Sequence, residues 1–151
     1  MKILVDADAC PIAVKEILYK AAKRLHVDLI LVANQFMRTP KSEFIKSVTV
    51  AEGPDEADDH IVDIVHQDDL VITADIPLAD RVIKKDAVVL DPRGTLLTNE
   101  NIGERLAVRN LMQDLRTSGI ETGGPNSYGI REKQEFAIQL DRFLTRALKS
   151  S

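Results

Sequence analysis

The chain has 151 residues, 44% hydrophobic and 29% charged, with a net charge of −4 and a single cysteine. That balance excludes a disordered chain, a polycation that coats nucleic acid by bulk attraction, an internal disulfide framework and a cysteine metal cluster. The charge is uneven: 8 Lys+Arg face 5 Asp+Glu in residues 1–51, 3 face 12 in residues 52–91, and 9 face 7 in residues 92–151.

Lys2–Val5 is a short apolar run without alternation, the pattern of a strand buried on both faces. Pro11 opens a helical pattern with Val14, Ile17, Leu18, Ala21, Ala22 and Leu25 at helical spacing. Asp28–Ala33 predicts a second strand and Ser47–Ala51 a weaker third. The Asn34–Phe44 connection is open between a short helix and a loop. Pro54 starts a helix with apolar Ala57, Ile61, Ile64 and Val65. Leu70–Thr73 predicts a fourth strand, Asp75 an N-cap before a helix near Pro77, and Ala87–Leu90 a fifth strand. Strands alternating with helices predict a mainly parallel α/β sheet of about five strands with helices on both faces.

The last third is helical. Asn101 and Glu104 have capping-box spacing ahead of Leu106, Leu111, Met112 and Leu115. Residues 118–130 predict a flexible loop, with Gly119, Gly123, Gly124, Gly129 and Pro125. Arg131–Lys149 predicts an amphipathic helix with Phe136, Leu140, Phe143, Leu144 and Ala147 on one face. The whole of 1–151 is expected to be one domain, an α/β body (1–95) with a helical extension (98–151) docked on it. No apolar run is long enough to span a bilayer, and the start MKILVDADAC lacks a signal-peptide pattern, so the expected location is the cytoplasm.

In a parallel sheet, ligands bind beyond the carboxyl ends of the strands. Asp6 and Asp8 follow the first strand, Asn34 and Gln35 the second, Asp55, Asp58 and Asp59 the third, Thr73 and Asp75 the fourth, Asp91 and Arg93 the fifth. The acids after the first, third and fourth strands open on one edge. Gathered carboxylates repel one another, and a hard cation relieves them; Asp oxygens without Cys suit Mg²⁺ or Mn²⁺. Such ions serve phosphodiester hydrolysis by activating water and clamping phosphate. Simpler roles exist for each group: Asp6 and Asp8 as caps of the first helix, Asp55, Asp58 and Asp59 as favourable charges at a helix N-terminus, Asp75 as a plain N-cap. Asp59 is expected to face outward, Asp80 to lie on the surface, and Asp63, Asp68, Asp69 and Asp86 to be solvated. Thr73 is placed to orient water or a carboxylate. Lys15, and Arg105, Arg109 and Arg116 on one helix face, are placed to meet phosphates. Cys10 is expected to be a small buried residue.

The phrases VDADACP (5–11), VANQ (32–35), DEADD (55–59), VITADIPLA (71–79), DPRG (91–94), NIGERLAVRNLM (101–112) and TGGP (122–125) together resemble the YaiI/YqxD family of bacterial proteins. That family is grouped with PIN-like domains. The resemblance implies a three-layer α/β/α sandwich with a C-terminal helix pair and a Mg²⁺- or Mn²⁺-dependent nuclease site. Its acids would fall on Asp6 with Asp8, on Asp55 or Asp58, and on Asp75. The expected activity is cleavage of RNA in preference to DNA, with Asp6, Asp8, Asp58 and Asp75 catalytic and metal-binding and Asp55 a further ligand. Asn34, Thr73, Arg93, Lys15, Arg105 and Arg109 would contact substrate. A nucleic-acid partner and no membrane are expected, with a homodimer left open. Two other classes compete. DADAC is close to the first motif of haloacid-dehalogenase-type phosphatases, with Asp6 as nucleophile and Lys84 or Lys85 as the later lysine. A non-catalytic module binding metal or nucleic acid is the other.

Overall fold

A computed structural model describes residues 1–120 and 127–149. The elements in chain order are β1 (Lys2–Asp6), α1 (Ile12–Leu25), β2 (Asp28–Ala33), β3 (Ile45–Thr49), α2 (Glu56–Ile64), β4 (Leu70–Ile72), α3 (Ile76–Ile83), β5 (Val88–Leu90), β6 (Leu96–Leu97), α4 (Ile102–Thr117) and α5 (Ile130–Lys149). They form the expected α/β architecture around one sheet ordered β3-β2-β1-β4-β5-β6. The first five strands are parallel; β6 runs antiparallel to β5.

Handedness places the helices. The chain moves one way from β1 to β2 and the other way from β3 to β4 and on to β5. Right-handed crossovers in opposite directions lie on opposite faces. One face of the sheet (Ile3, Val5, Leu29, Leu31, Ile72, Leu90) accordingly packs on α1 with Val14, Leu18 and Ala22. The other (Leu4, Val32, Val71, Val89) packs on α2 and α3 with Ile61, Leu78, Val82 and Ile83. Burial on both faces is why the strand runs lack alternation.

α5 completes the α1 face with Phe136, Leu140 and Leu144, whereas α4 joins the α3 face through Ile102. The two C-terminal helices therefore lie on opposite sides of the sheet. Both helices dock on the α/β body, but the apolar face expected on α4 is not buried: of this helix only Ile102 is, and Val108, Leu111 and Met112 are exposed. The physical reason is length. Sixteen residues make a helix of about 24 Å, twice the length of α3, so the second half overhangs its support.

Several local expectations are corrected. β3 begins at Ile45, two residues early, because it is an edge strand with only Ile45 buried and carries little pattern. The Asn34–Phe44 connection holds no helix. Asn101 stands at the N-cap of α4 but its side chain makes no capping hydrogen bond; its Oδ1 accepts from Thr98 N–H and its Nδ2 donates to the Leu96 carbonyl, closing the β6–α4 turn. β6 itself was not expected. It is set by the turn at 91–95, where Asp91 Oδ1 accepts from the N–H groups of Arg93 (2.8 Å) and Thr95 (3.0 Å). Gly94 lies at φ +93°, and a Cβ there would meet the Glu135 backbone at 2.8 Å, so a side chain would push α5 off the sheet. Of the expected loop 118–130, residues 121–126, with Gly123, Gly124 and Pro125, lie outside the described residues. Among the described residues no helix is long and apolar enough to cross a membrane.

Candidate functional site: an acidic crevice at the switch point of the sheet

The strand order reverses between β1 and β4, the crevice where open α/β sheets bind ligands. Asp6 ends β1 and Thr73 follows β4, one on each side of it. The buried Thr73 hydroxyl bridges them. It donates to Asp6 Oδ2 (3.0 Å) and accepts from Asp75 N–H (3.0 Å). Asp75 in turn caps α3, its Oδ1 accepting from Leu78 N–H (3.0 Å). The expected N-cap is present and is also a member of the acidic group.

Asp6 and Asp8 do not cap α1. The N-cap is Pro11, without a side-chain hydrogen bond. Asp8 instead reaches sideways to β2, where Asn34 N–H donates to its Oδ2 (2.8 Å). The Asn34 side chain turns away and donates to the Ala51 carbonyl (2.9 Å). Asn34 therefore holds Asp8 in place by its backbone while its amide side chain is committed to the β3–α2 connection.

α2 brings the remaining acids from the other face. Asp55 is its N-cap residue, exposed and without a capping bond. Asp58, half-buried in the first turn, feels Asp75, Asp6 and Asp55 together. Burial and then these three charges push its carboxyl up to about 6, with Arg81 opposing. Burial likewise raises Asp6, opposed by the Thr73 hydrogen bond and reinforced by the charges of Asp75 and Asp8. Asp59 faces outward as expected and pairs with Arg81 at 2.9 Å.

This donor set consists of hard carboxylate oxygens and fits Mg²⁺ or Mn²⁺ in kind. In their present rotamers, however, no three acidic, His or Cys side chains among the described residues converge enough to hold an ion. Asp6 and Asp75 are instead occupied by Thr73 and Leu78.

The cationic candidates divide. Arg105 and Arg109 line an open cleft of about 520 Å³ with Ile76, Asn101, Glu104 and Val108. Ile76 is the residue after Asp75, so this cleft adjoins the acids. Lys15 is half-buried in the first turn of α1, close enough for its charge to act on Cys10. Arg93 is turned to Glu132 of α5 (3.6 Å) and belongs to the β5–β6 turn. Cys10 is buried, with its thiol pushed up to about 12, which removes it as a nucleophile. Lys84 and Lys85 lie at the far end of α3 from Asp75, bonded to Asp80 and the Val62 carbonyl, so neither serves Asp6 as a phosphatase lysine.

One acid was misplaced from sequence. Asp69 is not solvated but 2% exposed. It accepts from Lys2 N–H, Lys2 Nζ and His66 N–H, at the opposite edge of the sheet from the crevice.

The chain matches the family described as "Uncharacterized BCR, YaiI/YqxD family" over residues 4–146. It is 58% identical over 146 residues to a UPF0178 protein of Cupriavidus pinatubonensis, covering 97% of each chain. A UPF0178 protein of Cupriavidus necator is also 58% identical, over 97% of this chain and 95% of its own. One from Dechloromonas aromatica is 56% identical, over 97% of each. No solved structure matches the chain. With a family pattern running from strand β1 into helix α5, and relatives this similar along nearly the whole length, the chain belongs to the YaiI/YqxD family.

Proposed function

We propose that the acidic crevice binds Mg²⁺ or Mn²⁺ and hydrolyses phosphodiester bonds, in RNA in preference to DNA, as the PIN-like resemblance implies. The observation that carries this reading is the placement of Asp6 and Asp75 on the two sides of the switch point, joined through Thr73 and approached by Asp58 from α2. Asp6, Asp8, Asp58 and Asp75 would hold the ion, with Asp55 in support, once their side chains turn toward one another. When bound, the ion neutralises the acids, lowers the pKa of a water and clamps the phosphate. Thr73 keeps Asp6 aimed into the crevice, and the Asn34 backbone does the same for Asp8. Arg105 and Arg109, in the cleft beside Ile76, neutralise phosphates of the strand that enters.

The test uses the Asp6→Asn/Asp75→Asn protein, in which the amides preserve the acceptors for Thr73 and Leu78. Mn²⁺ should raise the melting temperature of the unmodified protein and leave the double variant unmoved. RNA cleavage in Mn²⁺ should disappear in the variant. Equal cleavage by both would overturn the reading.

A further inference from the structure

The carboxyl edge that carries the acids also carries the most exposed apolar side chains. Among the large hydrophobic residues described, Phe36 is 81% exposed, Ile130 76% and Ile12 74%. All three lie at this edge. Phe36 is in the connection after β2, and Ile12 is the first residue of α1, after β1. Ile130 opens α5, whose Glu132 and Glu135 meet the β5–β6 turn. Elsewhere the chain buries its aromatic rings at least in part: Phe136 is fully buried, while Phe44 and Phe143 are half-buried.

Phe36 is presented rather than loosely hung. Its neighbour Met37 packs into the α1-side core. The connection is fastened before it by Asn34, through Asp8 and the Ala51 carbonyl, and after it by Phe44, which stacks on His26 with centroids 4.9 Å apart and planes 8° apart. The stretch Asn34–Ser42 contains Arg38 and Lys41, both exposed, and no acid. Along the edge the order is β4 with Thr73 and Asp75, β1 with Asp6 and Asp8, then β2 with the Phe36 connection. Three adjacent strands span roughly 10 Å, a distance that a short stretch of nucleic-acid strand covers.

We propose that Phe36 is a stacking platform for an unpaired base, with Arg38 and Lys41 neutralising the adjoining phosphates, so that the crevice selects single-stranded nucleic acid. An aromatic face beside cations suits this ligand because every base offers a π-face, and a base in a duplex does not expose it. This inference rests on the nucleic-acid reading of the acidic crevice and adds how the strand is held and which form is chosen.

Binding is measured apart from cleavage, in the Asp6→Asn/Asp75→Asn background. The probe is a fluorescein-labelled oligouridylate of about 12 nucleotides, beside an RNA duplex of equal length. Adding Phe36→Ala should weaken oligouridylate binding about tenfold, leave duplex binding within twofold of its parent, and leave the melting temperature unchanged. Phe36→Trp should preserve binding. Because the chain has no other tryptophan, the emission of that Trp reports stacking directly and should be quenched as the oligonucleotide saturates. Oligouridylate binding that survives Phe36→Ala, an equal loss on duplex, unquenched Trp emission, or no binding by the parent would each overturn the proposal; the surface would then serve another partner. Quenching without any Mn²⁺-dependent cleavage by the unmodified protein supports the platform and defeats the nuclease reading alone. Cleavage with unaltered Phe36→Ala binding does the reverse.

Discussion

At the amino edge of the sheet, Asp69 is buried and satisfied by three donors, among them the Lys2 ammonium at 2.6 Å. At the carboxyl edge, burial raises Asp6 and Asp58, reinforced at Asp6 by the charges of Asp75 and Asp8 and at Asp58 by those of Asp75, Asp6 and Asp55. Both edges take carboxylates out of water. One provides a directly paired counter-charge from the chain; at the other, Arg81 acts on Asp58 while paired with Asp59. A buried acid with its own cation is an element of the fold; acids that raise each other are a cost that a bound cation would relieve.

The largest effect that can break this contrast is at the amino edge. Asp69→Ala removes the carboxylate that pairs with the Lys2 ammonium and the acceptor of two N–H groups and should cost about 3–5 kcal/mol, read by urea unfolding at neutral pH. A loss below about 1 kcal/mol would mean that Asp69 does not hold β1 to β4. At the carboxyl edge the sign should invert. The folded-state pKa of Asp58, about 6, lies above its ordinary 3.8, so the folded protein binds this proton more tightly than the unfolded one. Its contribution is complete below pH 3.8 and is lost as pH rises through 6. In cation-free buffer Asp58→Asn should therefore melt like the parent near pH 4 and above it at neutral pH, by about 1 kcal/mol after allowance for solvent screening. A variant less stable at neutral pH would place Asp58 with the structural acids. The smallest effect is one residue away. Asp59→Asn breaks only an exposed pair with Arg81 and should change stability by less than about 0.5 kcal/mol, which separates the two neighbouring aspartates of α2.

The parallel sheet was legible because strands covered on both faces must be apolar throughout, and Lys2–Val5 and Leu70–Thr73 are. The acids at three strand ends were legible because parallel strands bring their carboxyl ends to one edge, whatever the details of packing. The pairing of Asp69 with Lys2 was not: the two are 67 residues apart, and Asp68-Asp69 looks like any charged turn. Nor was the pinning of Asp8 by a backbone N–H of β2, since every residue offers that donor and only register selects Asn34. α4 shows the opposite failure. Its apolar spacing is sound, but spacing says nothing about whether a neighbouring element is long enough to cover it. Phe36 had no pattern to mark it, being one aromatic in an irregular connection.

That uncovered half of α4 has a mechanical meaning. From Ala107 to Ile120 every residue but Leu115 is exposed, while Ile102 and Asn101 tie the other end to α3 and β6. Among the described residues little packs on its second half, so unwinding there breaks mostly local hydrogen bonds and opens at a small fraction of the cost of global unfolding. Sequence change from Leu111 to Thr117 thus touches little of the packing on the sheet among the described residues. Arg105 and Arg109, which line the cleft beside Ile76, stand instead on the half of the helix that α3 supports.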